Sequence, residues 1–145
     1  MRKTAGFTLL EVIVVLVLAA AIYAVLLGVP MRSSGADLKS AARTLASGLR
    51  QAQTTAMATR HDASLTLDLD AREFRVAGDP RPRKLPDDID LKLYTAQTEV
   101  SSERVGAIRF YPDGSSTGGR ITVSSGERKY LVDVDWLTGR VSIGD

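Results

Sequence analysis

The apolar positions of this chain follow three successive patterns. Residues 7–29 are almost continuously apolar, and the few interruptions are Thr8, Glu11, Tyr23 and Gly28. From Ala36 to about Arg60 the apolar residues recur every three or four positions, which predicts a helix with one apolar face. The positions of that stripe are Leu38, Ala42, Leu45, Leu49, Ala52 and Ala56. After His61 the period changes to two, which predicts β-strands.

Short alternating runs in the second half of the chain predict six or seven strands. The first two form a hairpin, 65–69 and 74–76, turning at 70–72, and a loop containing Pro80, Pro82 and Pro86 follows. The later runs are 89–93, 108–110, 121–123, 132–136 and 141–143. Trp136 lies in one of these alternating runs, so we expect it in the core. One long helix followed by antiparallel strands, without βαβ alternation, predicts an α+β fold with the helix packed on a sheet.

The first apolar run is long enough to cross a membrane. As a helix, its 23 residues would extend about 35 Å, against about 30 Å for the hydrocarbon core of a bilayer. Arg2 and Lys3 precede it, so the positive-inside rule places the amino end in the cytoplasm and the rest of the chain outside. The alternative is an ordinary secretory signal with its small-residue site at 19–21. That alternative is disfavoured because the apolar run continues to Leu27 and contains Glu11.

The predicted organisation has four parts. Residues 1–6 form a basic leader, 7–29 a transmembrane helix, 30–61 the periplasmic part of a spine helix and 62–145 a β-rich periplasmic domain. Pro30 is expected to kink or interrupt the helix where it leaves the membrane.

Glu11 is the residue in the apolar run that requires an explanation. A carboxylate in an apolar helix costs about 2.5–3.5 kcal/mol at mid-bilayer and less near the interface. The run supplies no cation, so the nearest candidate partner is an α-amino group created by cleavage just before Phe7. If that amine belongs to a neighbouring subunit, the pair forms only in the assembly and fixes the axial register. The alternative is a charge tolerated near the interface.

The segment Gly6-Phe7-Thr8-Leu9-Leu10-Glu11, after a short basic leader, resembles the class III signal of type IV pilins and pseudopilins. The resemblance implies that a prepilin peptidase cuts between Gly6 and Phe7 and methylates the new amino terminus of Phe7. It also implies that Glu11, the fifth mature residue, serves subunit registration.

A second segment narrows the resemblance. Residues 110–119, Phe-Tyr-Pro-Asp-Gly-Ser-Ser-Thr-Gly-Gly, followed by a strand-like run, are similar to the Phe-x-x-x-Gly loop and glycine-rich turn of GspH/FimT-type minor pseudopilins. The implied function is an H-type minor pseudopilin near the tip of a type II secretion pseudopilus, in the bacterial inner membrane. The implied partners are the major and other minor pseudopilins, the prepilin peptidase and the inner-membrane assembly platform. The alternative is a FimT-like minor pilin that primes a type IV pilus or contacts DNA.

Composition and charge limit the other functions. The net charge of the 145 residues is +2, and without Arg2 and Lys3 of the leader the chain has 17 charges of each sign, so the basic pI does not indicate nucleic-acid binding. The chain has no cysteine, and its only histidine is His61. We therefore expect no thiolate metal site and no site that needs two imidazoles. No nucleophile with a base beside it is recognisable, so we expect neither an enzyme nor a cofactor.

Three weaker motifs have simpler explanations. The glycines from Gly114 to Gly119 have the spacing of a phosphate-binding loop, but no Lys-Ser/Thr pair and no helix follow them. The acidic group Asp87, Asp88 and Asp90 is expected to be a solvated loop rather than a cation site. The basic group Arg81, Arg83 and Lys84 lacks aromatic residues between its charges, so a solvated loop is favoured over a DNA contact.

Overall fold

The computed structural model describes residues 6–26 and 34–145, which form two units on either side of residue 32. Most of the predicted leader, the last three residues of the predicted transmembrane segment and the predicted break at Pro30 lie outside the described residues.

The first unit contains helix α1, Leu9–Leu26. Thr8 caps its amino end, because the backbone N–H groups of Glu11 and Val12 donate to the Thr8 carbonyl oxygen over 3.0 and 3.2 Å. The Glu11 N–H also lies 3.3 Å from Thr8 Oγ1. Within residues 6–26 and 34–145, no helix meets the combined length and hydropathy expected of a membrane span.

The second unit begins with helix α2, Ser34–Thr59, close to the predicted 36–60. The predicted stripe is confirmed: all six of its Leu and Ala side chains are buried, and Ala41 and Ala46 widen the face. The helix ends where Arg60 takes the left-handed conformation, with φ 57°, a conformation that stops α-helices at the position after the C-cap.

Nine strands follow α2 in two antiparallel sheets. They are β1 Ala63–Asp68, β2 Glu73–Val76, β3 Asp79–Lys84, β4 Asp90–Thr95, β5 Val100–Ser102, β6 Val105–Phe110, β7 Gly119–Ser125, β8 Arg128–Val134 and β9 Val141–Gly144. A 3-10 turn, 97–99, precedes β5. Sheet A has the order β3-β2-β1-β6-β5 and sheet B the order β4-β7-β8-β9. The α+β class is confirmed, but the single predicted sheet is two.

The core lies between α2 and the inner faces of both sheets. In the predicted hairpin, β1 pairs with β2 so that Leu65 faces Val76 and Leu67 faces Phe74. Sheet B contributes Ile121, Val123 and Val132, each fully buried. The sheets meet where Thr95 Oγ1 on β4 donates to the Ala107 carbonyl oxygen on β6 over 2.7 Å.

The proline-rich segment was predicted as a loop, and this prediction is wrong for residues 79–84. These residues form β3, the outermost strand of sheet A, which pairs only with β2. Proline lacks the N–H that a ladder needs, but an edge strand has one side without a partner. Pro80 and Pro82 are both exposed there.

The prediction for Trp136 is also wrong. Strand β8 ends at Val134, and the Trp136 side chain is 65% exposed in the turn that follows. The alternation of apolar residues through Val132 and Val134 continues past the strand by coincidence, because Asp135 ends the ladder and begins a tight turn.

Candidate assembly site

The amino-terminal segment brings Gly6, Phe7 and Glu11 together just before and within the first turn of α1. Phe7 is 80% exposed, and Glu11 is the acidic residue of the first turn. An added Cβ at Gly6 would meet no atom within 4 Å among the described residues. The folded chain therefore does not require glycine at this position.

Glu11 has a local environment that the sequence analysis missed. Thr8 is the capping residue, so Glu11 is the third residue after the cap, the spacing of a capping box. The positive end of the helix dipole favours a carboxylate in this turn. The signal was present in the sequence as Thr8-Leu9-Leu10-Glu11. Among the described residues no cation lies within ion-pair distance of the Glu11 carboxylate, and its side chain is exposed.

The apolar side chains of α1 that the structure describes do not bury one another. Every described side chain from Phe7 to Ala24 is exposed, including Leu9 at 81% and Leu10 at 73%. A helix that is apolar on all sides is stable only when another apolar medium or other helices surround it. The described part of this unit therefore needs apolar surroundings.

In the second unit the glycine-rich loop 111–118 closes against the turn 135–140. Gln53 Nε2 on α2 donates to the Gly114 carbonyl oxygen over 2.9 Å and lies 3.3 Å from that of Thr138. A Cβ at Gly139 would collide with the Gly114 carbonyl oxygen. The glycines thus allow two backbone segments to meet on one glutamine, which is a structural use of the loop.

The turn 135–140 is held by one carboxylate. Asp135 Oδ1 accepts hydrogen bonds from the N–H groups of Leu137 and Thr138 and from the Thr138 hydroxyl, over 2.8–3.0 Å. The hydrogen bonds from Thr138 are the main reason that the pKa of Asp135 lies below its usual value. The Trp136 carbonyl oxygen accepts from the Ser116 N–H over 2.8 Å. Trp136 and Leu137 are therefore presented to solvent on a fixed turn.

Two open clefts flank Tyr94 at this end of sheet B. One, of about 300 Å³, lies between Tyr94 and Trp136 with Gly118 and Gly119 beside them. The other, of about 510 Å³, lies over the Arg120–Asp133 ion pair. Tyr94 is 80% exposed, and exposed Tyr and Trp side chains are enriched in protein interfaces.

The weaker motifs occupy ordinary surface positions. The loop 111–118 leads into strand β7 instead of a helix, and Arg120 is paired with Asp133. In the basic group, Arg83 contacts Asp79 and Gln51 and lies over the Phe74 ring, 5.8 Å from its centroid.

The remaining candidates for metal chemistry are dispersed. Asp87, Asp88 and Asp90 are exposed on both sides of the buried Ile89. Nowhere in 6–26 or 34–145 do three or more His, Asp or Glu side chains gather in a way that could hold a metal ion. The exposed His61 lies with Nδ1 2.8 Å from the Thr59 carbonyl oxygen.

Comparison with known proteins identifies the family of this chain. The profile of the type II transport protein GspH matches residues 41–139, and that of the prokaryotic N-terminal methylation motif matches residues 1–27. The type II secretion system protein H of Xanthomonas campestris pv. campestris is 34% identical over 146 aligned residues, which cover 99% of this chain and 85% of that protein.

Solved structures share a pilin-like fold with most of this chain. The minor pseudopilin EpsH of the Vibrio cholerae type II secretion system matches with a TM-score of 0.60 at 12% identity, over 77% of this chain and 95% of that one. The type IV minor pilin FimU of Pseudomonas aeruginosa matches with a TM-score of 0.59 at 14% identity, over 78% and 92%. These similarities establish the pilin-like fold, and the sequence matches establish the family. The chain is a member of the GspH family, the minor pseudopilins of type II secretion.

Proposed function

We propose that the chain is held in the bacterial inner membrane by the segment 7–29, with its β-rich domain in the periplasm, and then joins the pseudopilus near its tip. The observation that supports this most directly is the contrast between the two units. The domain buries its own core, whereas every described side chain from Phe7 to Ala24 is exposed. Lipid before assembly, and the helices of other pseudopilins afterwards, would supply the apolar surroundings that α1 needs.

We further propose that a prepilin peptidase cuts between Gly6 and Phe7 and methylates Phe7. The methylation motif covers residues 1–27, and the space around Gly6 shows that the fold does not require a glycine there. A requirement for glycine would then come from the active site of the peptidase, which has to admit the backbone at the cut.

The cleavage can be tested by measuring the intact mass of the protein purified from membranes. We expect the loss of residues 1–6 and the gain of one methyl group. The same chain from cells lacking prepilin peptidase should retain its full mass, and a Gly6→Leu variant should do so in normal cells. A mature chain trimmed beyond Ala21 would instead identify an ordinary secretory signal and refute the proposal.

For Glu11 we propose a role in subunit registration. The amine freed at Phe7 of a neighbouring subunit would pair with the Glu11 carboxylate and remove two charges from the apolar fibre core. Among the described residues no cation already lies within ion-pair distance of this carboxylate, so it is available to a partner. The other partners that we propose are the major pseudopilin, the remaining minor ones and the inner-membrane platform.

The fold is similar to that of FimU, so a second function can be tested. That function is a minor pilin that contacts DNA. The basic group offers little support, because Arg81 and Arg83 are both engaged by Asp79. A DNA mobility-shift assay across a salt titration distinguishes the two functions. Binding that weakens steeply with salt would favour the pilus, whereas a secretion defect on gene deletion without DNA binding would favour the secretion system.

A further inference from the structure

Residues 96–104 form a strap that crosses from β4 in sheet B to β6 in sheet A. The strap contains the 3-10 turn and the three-residue strand β5. From residue 97 to residue 104 every side chain is exposed except that of Glu99, which is 8% exposed. This strap is anchored by a carboxylate.

The partner of the carboxylate lies on β6. Arg109 Nε donates to Glu99 Oε1 over 2.9 Å, and this hydrogen bond is the main cause of the raised pKa of Arg109. Asp62 is the other acid near Arg109, at 3.9 Å. A buried carboxylate is stable only while it is paired. The end of the strap is also fixed by Arg104, which pairs with Asp70 and whose carbonyl oxygen accepts a hydrogen bond from the Leu69 N–H over 2.9 Å. Both side chains of that second pair are exposed, so it contributes little, and the Glu99–Arg109 pair is the buried side-chain contact that holds the middle of the strap.

The strap covers the outer edge of β6. The other edge of that strand pairs with β1 along its whole length. On the outer edge, β5 pairs only with Val105 and Gly106, through an irregular register. Farther along, the carbonyl oxygens of Ala107 and Arg109 are satisfied by Thr95 and by Ser116 and Thr117. The first part of the edge therefore relies on the strap alone.

We propose that the strap is a detachable cover, latched by the Glu99–Arg109 ion pair, which opens while the rest of the domain stays folded. Opening exposes no buried apolar side chain from the strap between 97 and 104, so it sacrifices little hydrophobic stabilisation. It leaves the backbone groups of β6 at Val105 and Gly106 unpaired.

Hydrogen–deuterium exchange of the full chain in detergent micelles tests the latch. Glu99→Gln preserves the size of the side chain and its capacity to accept a hydrogen bond but removes the charge. We expect exchange at residues 100–105 to accelerate at least tenfold, while α2 and β1 exchange as in the native protein. Glu103→Gln is the matched control, since Glu103 is an exposed acid of the same strap without an ion pair among the described residues; it should change nothing.

Two results would overturn the proposal. Unchanged exchange at residues 100–105 in Glu99→Gln would mean that the ion pair does not hold the strap. Acceleration spread equally over α2 and β1 would mean that the pair supports the whole domain and that the strap does not open independently. Neither result depends on secretion or on fibre assembly, so the test is separate from that of the proposed function.

Discussion

Helices α1 and α2 both carry apolar side chains, but they differ in whether those side chains are buried. In α1 the apolar residues surround the helix, and every described one is exposed. In α2 they form one stripe, whose Leu and Ala side chains are fully buried against the two sheets. The exposed face of α2 is polar, whereas α1 has no polar face.

The apolar patterns of the two helices therefore specify different things. The stripe of α2 specifies packing within the chain, because only one orientation buries Leu38, Leu45 and Leu49 together. The apolar run of α1 specifies apolar surroundings, because every described side chain from Phe7 to Ala24 is exposed. Glu11 is the one charged residue of α1. Substitutions in α2 should therefore alter the stability of the domain, and substitutions in α1 should alter assembly.

The largest effect on stability is expected from truncating the stripe. Leu49 is fully buried, and Leu49→Ala should lower the free energy of unfolding of the domain by about 2–5 kcal/mol. Leu16 on α1 is 64% exposed, so Leu16→Ala should leave the domain unchanged. Urea unfolding of both variants in detergent, followed by circular dichroism, measures the difference. Equal losses would show that α1 and the domain share a core.

Glu11→Val should leave the stability of the domain unchanged and should impair assembly. Removal of the charge relieves the cost of placing a carboxylate in an apolar helix, about 2.5–3.5 kcal/mol at mid-bilayer. It also removes the proposed partner of the mature amino terminus. We expect normal cleavage, an unchanged urea midpoint and a several-fold loss of chain recovered in cross-linked pseudopilus complexes. Glu11→Asp keeps the charge and is the control. Full incorporation of the valine variant would refute the pairing.

The parts of the structure that the sequence predicted are those where one local signal dominates. The stripe of α2 and the hairpin of β1 and β2 were predicted because their periods of burial are regular. Strand β3 was missed because prolines normally exclude a strand, and only its place at the edge of sheet A permits them. That place depends on contacts between distant segments, which periodicity does not contain.

The same limit applies to the candidate site. Gly6, Phe7 and Glu11 form a contiguous motif, so they were identified without a structure. Trp136 was assigned to the core because alternation predicts burial only while a strand continues, and the end of β8 is set by the Asp135 turn. The Glu99–Arg109 contact joins residues from two segments that have no shared pattern, so no sequence signal indicated it.

A smaller change in stability is expected at Gly48, on the buried side of α2. In an isolated helix, Gly→Ala stabilises by about 0.8–1 kcal/mol. Here the new Cβ would lie 2.7 Å from Phe74 Cε2 and 3.0 Å from Leu65 Cδ1, and both of those side chains are buried. Overpacking costs about 1–3 kcal/mol, so we expect a net loss of up to about 2 kcal/mol. Ser47 lies on the exposed face of α2, so Ser47→Ala raises the helix propensity without a steric clash. We expect this variant to be at least as stable as the native protein. A stabilised Gly48→Ala variant would show that the core has room at this point.

The smallest expected effect concerns the turn that presents Trp136. Its hydrogen bonds lower the pKa of Asp135 in the folded state, so the ionised carboxylate stabilises the fold above the unfolded-state pKa of about 3.9. This contribution disappears as the pH falls through the lower, folded-state pKa. Asp135→Asn should therefore be less stable than the native protein at pH 7, and the two should converge in acid.

The control for this pH dependence is Asp88→Asn, because Asp88 is an exposed acid with no ion pair among the described residues. This control shows what the exchange of an exposed carboxylate for an amide does to stability outside the turn. The measurement is the urea midpoint of the native protein and of the two variants, taken from pH 7 down to the lowest pH at which the domain folds. If Asp135→Asn remained less stable than the native protein in acid, the turn would depend on the shape of the side chain rather than on its charge. The fixed position of Trp136 would then be maintained by the hydrogen bond from the Ser116 N–H to its carbonyl oxygen.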